Sequence, residues 1–342
     1  MEAAYEPKTL QEAVVYFDDQ DNCLKYLAGK RWPNGVVCPT CGGKDVIFLA
    51  NQRRWKCRQK HHKQQFSVKV GTVMEDSPIG LDKWLMTMWQ VVNCKSGVSS
   101  YEIHRAFGIT QKSAWFLDHR IRYALGMESG EKLSGHVEAD ETFIGGKARN
   151  MHIATRQRRI TGTGTKDKTA VMGILERGDK ASGKTSKVRT TVVSSRKKKE
   201  LRAEVKKHVE AGSALYTDAL LSYDGLAGEF AHQVVDHAEK YVDGKIHTNG
   251  LENFWSLLKR SINGTYVSVE PFHLFRYLDE QTYRYNNRKM TDSQRFSMAV
   301  TGIVGKRLTF DELTGKLYRR MRELKDFVRI GADPENNGLG VW

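Results

Sequence analysis

No apolar run in this 342-residue chain approaches the length a helix needs to cross a bilayer. The start, Met1-Glu2-Ala3-Ala4-Tyr5-Glu6, lacks the basic and apolar segments of a signal peptide, so an intracellular protein with no membrane partner is expected. Cysteine is scarce: five residues over this length exclude a disulfide framework. There is no internal repeat, and Gly162-Thr163-Gly164-Thr165-Lys166 lacks the spacing of a phosphate-cradling nucleotide loop. Acids are outnumbered, 40 against 55 lysines and arginines, for a net charge of +15. Such a field attracts a polyanion, because neutralising phosphates releases their condensed counterions. What is present, 39% hydrophobic and 28% charged residues, describes a globular chain long enough for two or three domains.

Three of the cysteines cluster. Val37-Cys38-Pro39-Thr40-Cys41-Gly42-Gly43 is a CxxC knuckle backed by glycines. Strand-like Val46-Ile47-Phe48-Leu49 and a turn at Asn51-Gln52 lead back to Cys57, and His61 and His62 follow. Two facing turns supplying three thiolates and one imidazole suit tetrahedral Zn²⁺. His61 is the expected fourth ligand beside Cys38, Cys41 and Cys57, with His62 as the substitute. A ribbon this small has little core, so metal would supply much of its folding energy. Cys23 and Cys94, in apolar helical surroundings, read as packed thiols.

Helical patterns flank the knuckle. Leu10, Ala13, Val14 and Phe17 share one face of a first helix, and Leu81, Trp84, Leu85, Met88 and Trp89 mark a later one. From Ser99 to Trp115 the chain reads as helix, tight turn, helix. Ser99 caps the first helix with Glu102 completing the box, Gly108 permits the turn, and Thr110 caps the second. In a helix-turn-helix, Gln111, Lys112 and Ser113 would meet base edges or phosphates in a major groove, and the basic tail His119-Arg120-Ile121-Arg122 adds to that reading.

Gly135 opens a new region. His136 to Gly146 begins as an alternating strand with Glu138, Asp140 and Thr142 on one side. The cluster of Glu138, Asp140 and Glu141 is costly unless something cationic binds there. Lys147 to Lys168, basic, glycine-rich and weakly patterned, suggests a mobile DNA-facing arm carrying Lys147 and Arg149. Strands are expected at 169–175, 187–193, 214–218 and 233–235, with a helix from Lys198 to Val209. In the stretch from His247 to Arg260, Leu251, Phe254, Trp255 and Leu258 fall at helical spacing. Glu252 and Lys259 then lie two turns apart on the edge of that face, with Asn249 one turn before Glu252. Three strands, a helix, a strand and an acid-bearing helix is the order of an RNase H-like domain. Asp140, Asp218 and Glu252 would there hold two Mg²⁺ (or Mn²⁺) ions for in-line phosphodiester attack. A helix from Phe272 to Tyr285 closes this core, and another is expected from about Leu313 to Phe327.

Together, the ribbon, Gln65-Phe66-Ser67-Val68-Lys69-Val70-Gly71-Thr72, Glu138-Ala139-Asp140-Glu141-Thr142 with Gly145-Gly146-Lys147, Tyr216-Thr217-Asp218 and His247-Thr248-Asn249 to Lys259-Arg260 resemble the zinc-ribbon DDE transposases of insertion sequences related to the Merlin elements, the ISXO-type family. The resemblance implies an α/β multidomain fold: an N-terminal zinc ribbon (1–78), a helix-turn-helix (79–134), an RNase H-like catalytic domain (135–300) and a C-terminal helical tail (301–342). It implies cleavage and joining of DNA at the inverted ends of a mobile element, with Lys259 near the phosphate. Some members carry asparagine at the third metal position, so Asn249 stands beside Glu252. Glu252 is favoured, since a carboxylate binds Mg²⁺ better than an amide and this one lies seven residues before the lysine. Histidine in place of a fourth ribbon cysteine departs from the commonest pattern. Pairing two DNA ends requires two active sites, so a homodimer or larger assembly is expected, in a cytoplasmic, nucleoid-associated protein of a prokaryote. The rival reading is a transposase-derived regulator that binds DNA without cutting it.

Overall fold

Polar caps open the N-terminal helices of the computed structural model, which describes residues 5–126, 130–145, 152–159, 168–179, 181–195, 197–218, 223, 225–226, 228–235 and 247–315. Thr9 caps α1 (Leu10–Phe17) and Asp19 caps α2 (Gln20–Arg31). Ala13 and Phe17 are the buried face of α1, whereas Leu10 and Val14, expected beside them, are about half exposed. An antiparallel ribbon follows, β1 (Val46–Leu49), β2 (Arg54–Cys57) and β3 (Gln65–Phe66). The expectation of a nearly coreless ribbon is corrected here. Trp55 stacks on Phe66 and meets Trp32 edge-on, and Cys38, Cys57 and Val68 are buried in the same core as Phe17 and Trp84. Next comes α3 (Leu81–Asn93), whose Trp84, Leu85, Met88, Trp89, Val91 and Val92 are all buried. The expected capping box opens α4 (Ser100–Phe107), with Ser99 and Glu102 exchanging hydrogen bonds. Gly108 takes a φ of +61°, which a residue with a side chain adopts only at a cost, and Thr110 caps α5 (Gln111–Leu125).

The second half is a mixed sheet between helices. It comprises β4 (His136–Ile144), β5 (Thr169–Glu176), β6 (Lys187–Val193), β7 (Ala214–Asp218) and β8 (Ala231–Val235), with α6 (Ile153–Arg159) and α7 (Lys198–His208) between strands. The strand order is β6-β5-β4-β7-β8, antiparallel from β6 to β4 and parallel from β4 to β8. Alternation along each strand divides the faces. Val137, Ala139, Met172, Ile174 and Leu215 pack with Leu201 and Val205 of α7, while Val171, Leu175 and Val188 pack beneath Leu251, Phe254, Trp255 and Leu258 of α8 (Asn249–Ser261). Beside α8, α9 (Leu274–Asn286) covers β6. The Asn286 side chain accepts from the Val188 N–H at 2.7 Å and donates to its carbonyl at 2.9 Å, standing in for a neighbouring strand at the sheet edge. Part of the stretch read as an unpatterned arm is helical, namely α6; Lys147 and Arg149 lie outside the described residues.

The chain then returns to its beginning. Phe296 of α10 (Asp292–Thr301) packs on Phe17, Tyr26 and Trp89, so α10 shares the N-terminal core. The last described helix is α11 (Phe310–Leu313), and the rest of the helix expected up to Phe327 lies outside the described residues.

Sequence and structure part at α5. His119, Arg120 and Arg122, read as a DNA-facing basic tail, are buried. Arg122 pairs with Glu280 at 2.6 Å, with both side chains at most 2% exposed, and Arg284 pairs with the other Glu280 oxygen. Arg122 also lies 4.2 Å from the Tyr277 ring centre. Arg120 donates to the Glu75 carbonyl and stacks on Trp84 and Phe116. The cations join α5 to its neighbours instead of facing solvent, because an acid 158 residues away neutralises Arg122. Asp118, one turn from Arg122, is fully buried without a hydrogen-bond partner among the described residues, and burial pushes its carboxyl up to about 7 against the pull of Arg122. A folded value above the unfolded one contributes stability that is whole below about pH 4 and lost as the pH rises through the folded value. Asp118→Asn, which cannot ionise, is therefore expected to raise the melting midpoint more at about pH 8 than at about pH 5, by on the order of 1–3 kcal/mol of stability. An equal effect at both pH values in thermal melts would contradict this.

Candidate active site and metal cluster

A buried carboxylate docks α8 on the sheet. Glu138, 1% exposed on the α8 side of β4, accepts from Arg177 Nε at 2.7 Å and from the Leu251 N–H, in the first turn of α8, at 2.9 Å. Arg177 lies 4.2 Å from the Tyr216 ring centre and donates on to the His247 carbonyl, tying down the chain just before the helix. The first N–H groups of a helix have no partner within it and carry partial positive charge, so an acid there satisfies both. Gly250 makes the approach possible, since a Cβ at that position would lie 2.8 Å from Glu138 Oε2.

Asp140 lies two residues further along the same face of β4. Its Oδ2 accepts from Trp255 Nε1 at 2.9 Å and its Oδ1 from the Glu141 N–H at 2.8 Å. Asp140 and Asp218 sit one step beyond the last paired residues of the parallel strands β4 and β7, Ala139 and Thr217, and so stand side by side. Burial raises the Asp140 carboxyl to about 6 against the pull of the Trp255 and Glu141 N–H groups, and the charges of Asp218 and Glu252 push it the same way as burial. Such mutual repulsion is relieved by a cation. Asp140, Glu141, Thr142, Glu252, Trp255, Ser256, Lys259, Arg260, Asn263 and Gly264 line one open cleft of about 800 Å³. Asn249 is exposed at the start of α8 and is not among these lining residues, whereas Glu252 and Lys259 both are. On the opposite face Tyr223 donates to Glu141. Oxygen donors of this kind suit Mg²⁺ or Mn²⁺.

Sequence reasoning passed over Arg177, Gly173 and Gly250 and read Trp255 only as part of an apolar face. Gly173 had a signal: an isolated glycine inside an apolar strand marks close approach of another group.

The ribbon gathers Cys38, Cys41, Cys57 and His61, with all four ligand atoms within 4.8 Å of one another. Cys41 and Cys57 sulfurs are 3.7 Å apart and Cys38 Sγ is 3.4 Å from His61 Nε2. Tetrahedral Zn–S bonds of about 2.3 Å separate sulfurs by about 3.8 Å, so the cluster fits that ion. Burial opposes ionising the Cys38 thiol, but the Cys41 and Thr40 N–H groups outweigh it and hold its pKa below the ordinary value. His62 is exposed and outside the cluster.

At the start of α5, Gln111 donates to Ser100, Lys112 lies 5.0 Å from the Phe310 ring centre, and Ser113 bonds the capping Thr110. Arg120, only 4% exposed, spends its guanidinium on the Glu75 carbonyl and the Trp84 and Phe116 rings and does not offer it to solvent.

Two outcomes follow from this geometry. His61→Ala is expected to lower zinc retained against a chelator by at least about tenfold, with His62→Ala near wild type, read by metal analysis after dialysis. Gly250→Ala should lower stability by about 1–3 kcal/mol in denaturant titrations as its methyl forces Glu138 and α8 apart.

Comparisons with known proteins place the chain among transposases. The ISXO2-like transposase domain family matches residues 132–286 and the transposase zinc-ribbon domain family matches residues 18–63. An uncharacterized protein in transposable element ISH50 of Halobacterium salinarum is 27% identical over 256 residues, 71% of this chain and 83% of that protein. An uncharacterized transposase-like protein of Haemophilus influenzae is 31% identical over 105 residues, 30% of this chain and 85% of that protein. No solved structure matches the chain. With a transposase zinc ribbon followed by the transposase domain itself, the chain belongs to the ISXO2-like transposase family.

Proposed function

We propose that the protein is a DNA transposase that binds the inverted terminal repeats of its element and catalyses metal-dependent strand cleavage and transfer. The observation that carries the reading is that Asp140 and Asp218 each directly follow the last paired residues of the adjacent parallel strands β4 and β7, while Glu252 and Lys259 of α8 line the Asp140 cleft. A strand order with three antiparallel strands followed by two parallel ones supports an RNase H-like catalytic domain within 135–300. Asp140, Asp218 and Glu252 would hold Mg²⁺ or Mn²⁺, which when bound activates a water or 3′-hydroxyl and stabilises the leaving oxygen. Lys259 and Arg260, on the same wall, offer cationic partners for the scissile phosphate.

The zinc-loaded ribbon (1–78) and the α4–α5 helix-turn-helix (79–134) would recognise the ends, with Gln111, Lys112 and Ser113 at the groove. For Lys112 this requires leaving the Phe310 ring. The tail, 301–342, begins by packing on the N-terminal core, where Ile303 is buried. Two ends cut together call for at least a dimer.

The test is incubation with Mg²⁺ and supercoiled plasmid bearing candidate terminal repeats, scoring cleaved and joined products separately. Asp140→Asn, Asp218→Asn and Glu252→Gln are each expected to lower cleavage and joining by about 10³-fold, several kcal/mol of lost charge stabilisation, while end binding in gel shifts persists. Asn249→Ala should cost far less than Glu252→Gln. Binding without any cutting by the unaltered protein would leave a regulator, and cutting without joined products a nuclease.

A further inference from the structure

Trp255 is the one large apolar side chain of α8 that hydrogen-bonds the cleft. It is 4% exposed, with Phe254 packed edge-on 5.2 Å away, and a phenylalanine would fill most of the same space. An indole differs in carrying an N–H, which needs a partner when buried, and here that partner is Asp140 Oδ2 at 2.9 Å. Because the Glu141 N–H holds the other oxygen, Oδ1, at 2.8 Å, the two donors together fix the rotation of the carboxylate plane. The sheet is cut to admit the ring. Asp140 faces Gly173 across the β4–β5 pair, and a Cβ on residue 173 would lie 2.6 Å and 2.7 Å from Trp255 Cζ2 and Cη2. Glycine is therefore required beneath the indole by lack of space.

We infer that Trp255 is a positioning residue for Asp140, holding its carboxylate in the orientation that receives a divalent cation, and that Gly173 is the slot that lets it do so. The inference rests on the proposed metal role of Asp140. A donor behind a metal-binding carboxylate keeps its remaining lone pairs aimed outward, and loss of such partners typically costs about 10–100-fold in metal affinity. An indole kept only for packing would affect stability and leave metal affinity unchanged.

The experiment is calorimetric titration of the zinc-loaded, full-length protein with Mn²⁺ alone, beside the Mn²⁺ dependence of strand cleavage. Trp255→Phe is expected to weaken Mn²⁺ binding by about 10–100-fold and to raise the half-saturating Mn²⁺ for cleavage by the same factor, with the rate at saturating Mn²⁺ within a few-fold of wild type. Gly173→Ala, which displaces the ring without removing it, should shift Mn²⁺ affinity in the same direction and covers the case in which Trp255→Phe does not fold. Wild-type Mn²⁺ affinity in either folded variant overturns the inference. Asp140→Asn separates the two levels: if it binds Mn²⁺ and cleaves like wild type, the metal role of Asp140 fails; if it loses both while Trp255→Phe does not change, only the positioning role fails.

Discussion

The contact on which the rest of the cleft depends is the buried Glu138 carboxylate. A charge taken out of water is tolerated only when its lone pairs are filled, and here Arg177 fills one side and the first turn of α8 the other. The same contact satisfies a helix N–H that has no partner in its own helix. One residue thus settles three things: where α8 begins, how close it lies to β4, and in which rotation it presents its side chains. Given that seat, Trp255 reaches Asp140 one turn later, and Glu252 and Lys259 come to the open side. Of the carboxylates on β4, Glu138 is structural because it is fully engaged, and Asp140 is left facing the cleft.

A second buried ionic cluster joins the sheet unit to the helices that precede it. Glu280 of α9 is held by Arg122 of α5, by Arg284, and by the Tyr266 hydroxyl that follows α8. Removing one member of such a cluster leaves an uncompensated buried charge, worth about 3–5 kcal/mol. Because α10 carries its apolar face back to α1, α2 and α3, the unit proposed to read DNA and the sheet beside it are interlocked and not strung on a linker. The π-turn Ile262–Tyr266 spans from the cleft to the second cluster, with Asn263 and Gly264 on the cleft wall and Tyr266 bonded to Glu280.

Much of the architecture was legible because it is encoded locally. Capping residues at Ser99, Glu102 and Thr110, the alternation of β4 to β7, the helical spacing of Leu251, Phe254, Trp255 and Leu258, and the CxxC knuckle are all short-range signals that the structure reproduces. Glu252 lines the cleft wall, whereas Asn249, one helical turn earlier along α8, is not among the lining residues.

What could not be read locally was the partnership of charges. His119-Arg120-Ile121-Arg122 has the composition of a phosphate-binding edge, and only the fold brings Glu280 and the Glu75 carbonyl to it and takes it out of solvent. Glu138 and Asp140 are alike in sequence, two residues apart on one face, and their different fates are set by Arg177 and by the seat of α8. The amino-acid order by itself determined the elements, the metal-ligand spacing and the acids available. Tertiary structure alone decided which charges are neutralised and which remain open to a ligand, because electrostatic partners are chosen by proximity in space, and proximity is a property of the packed chain.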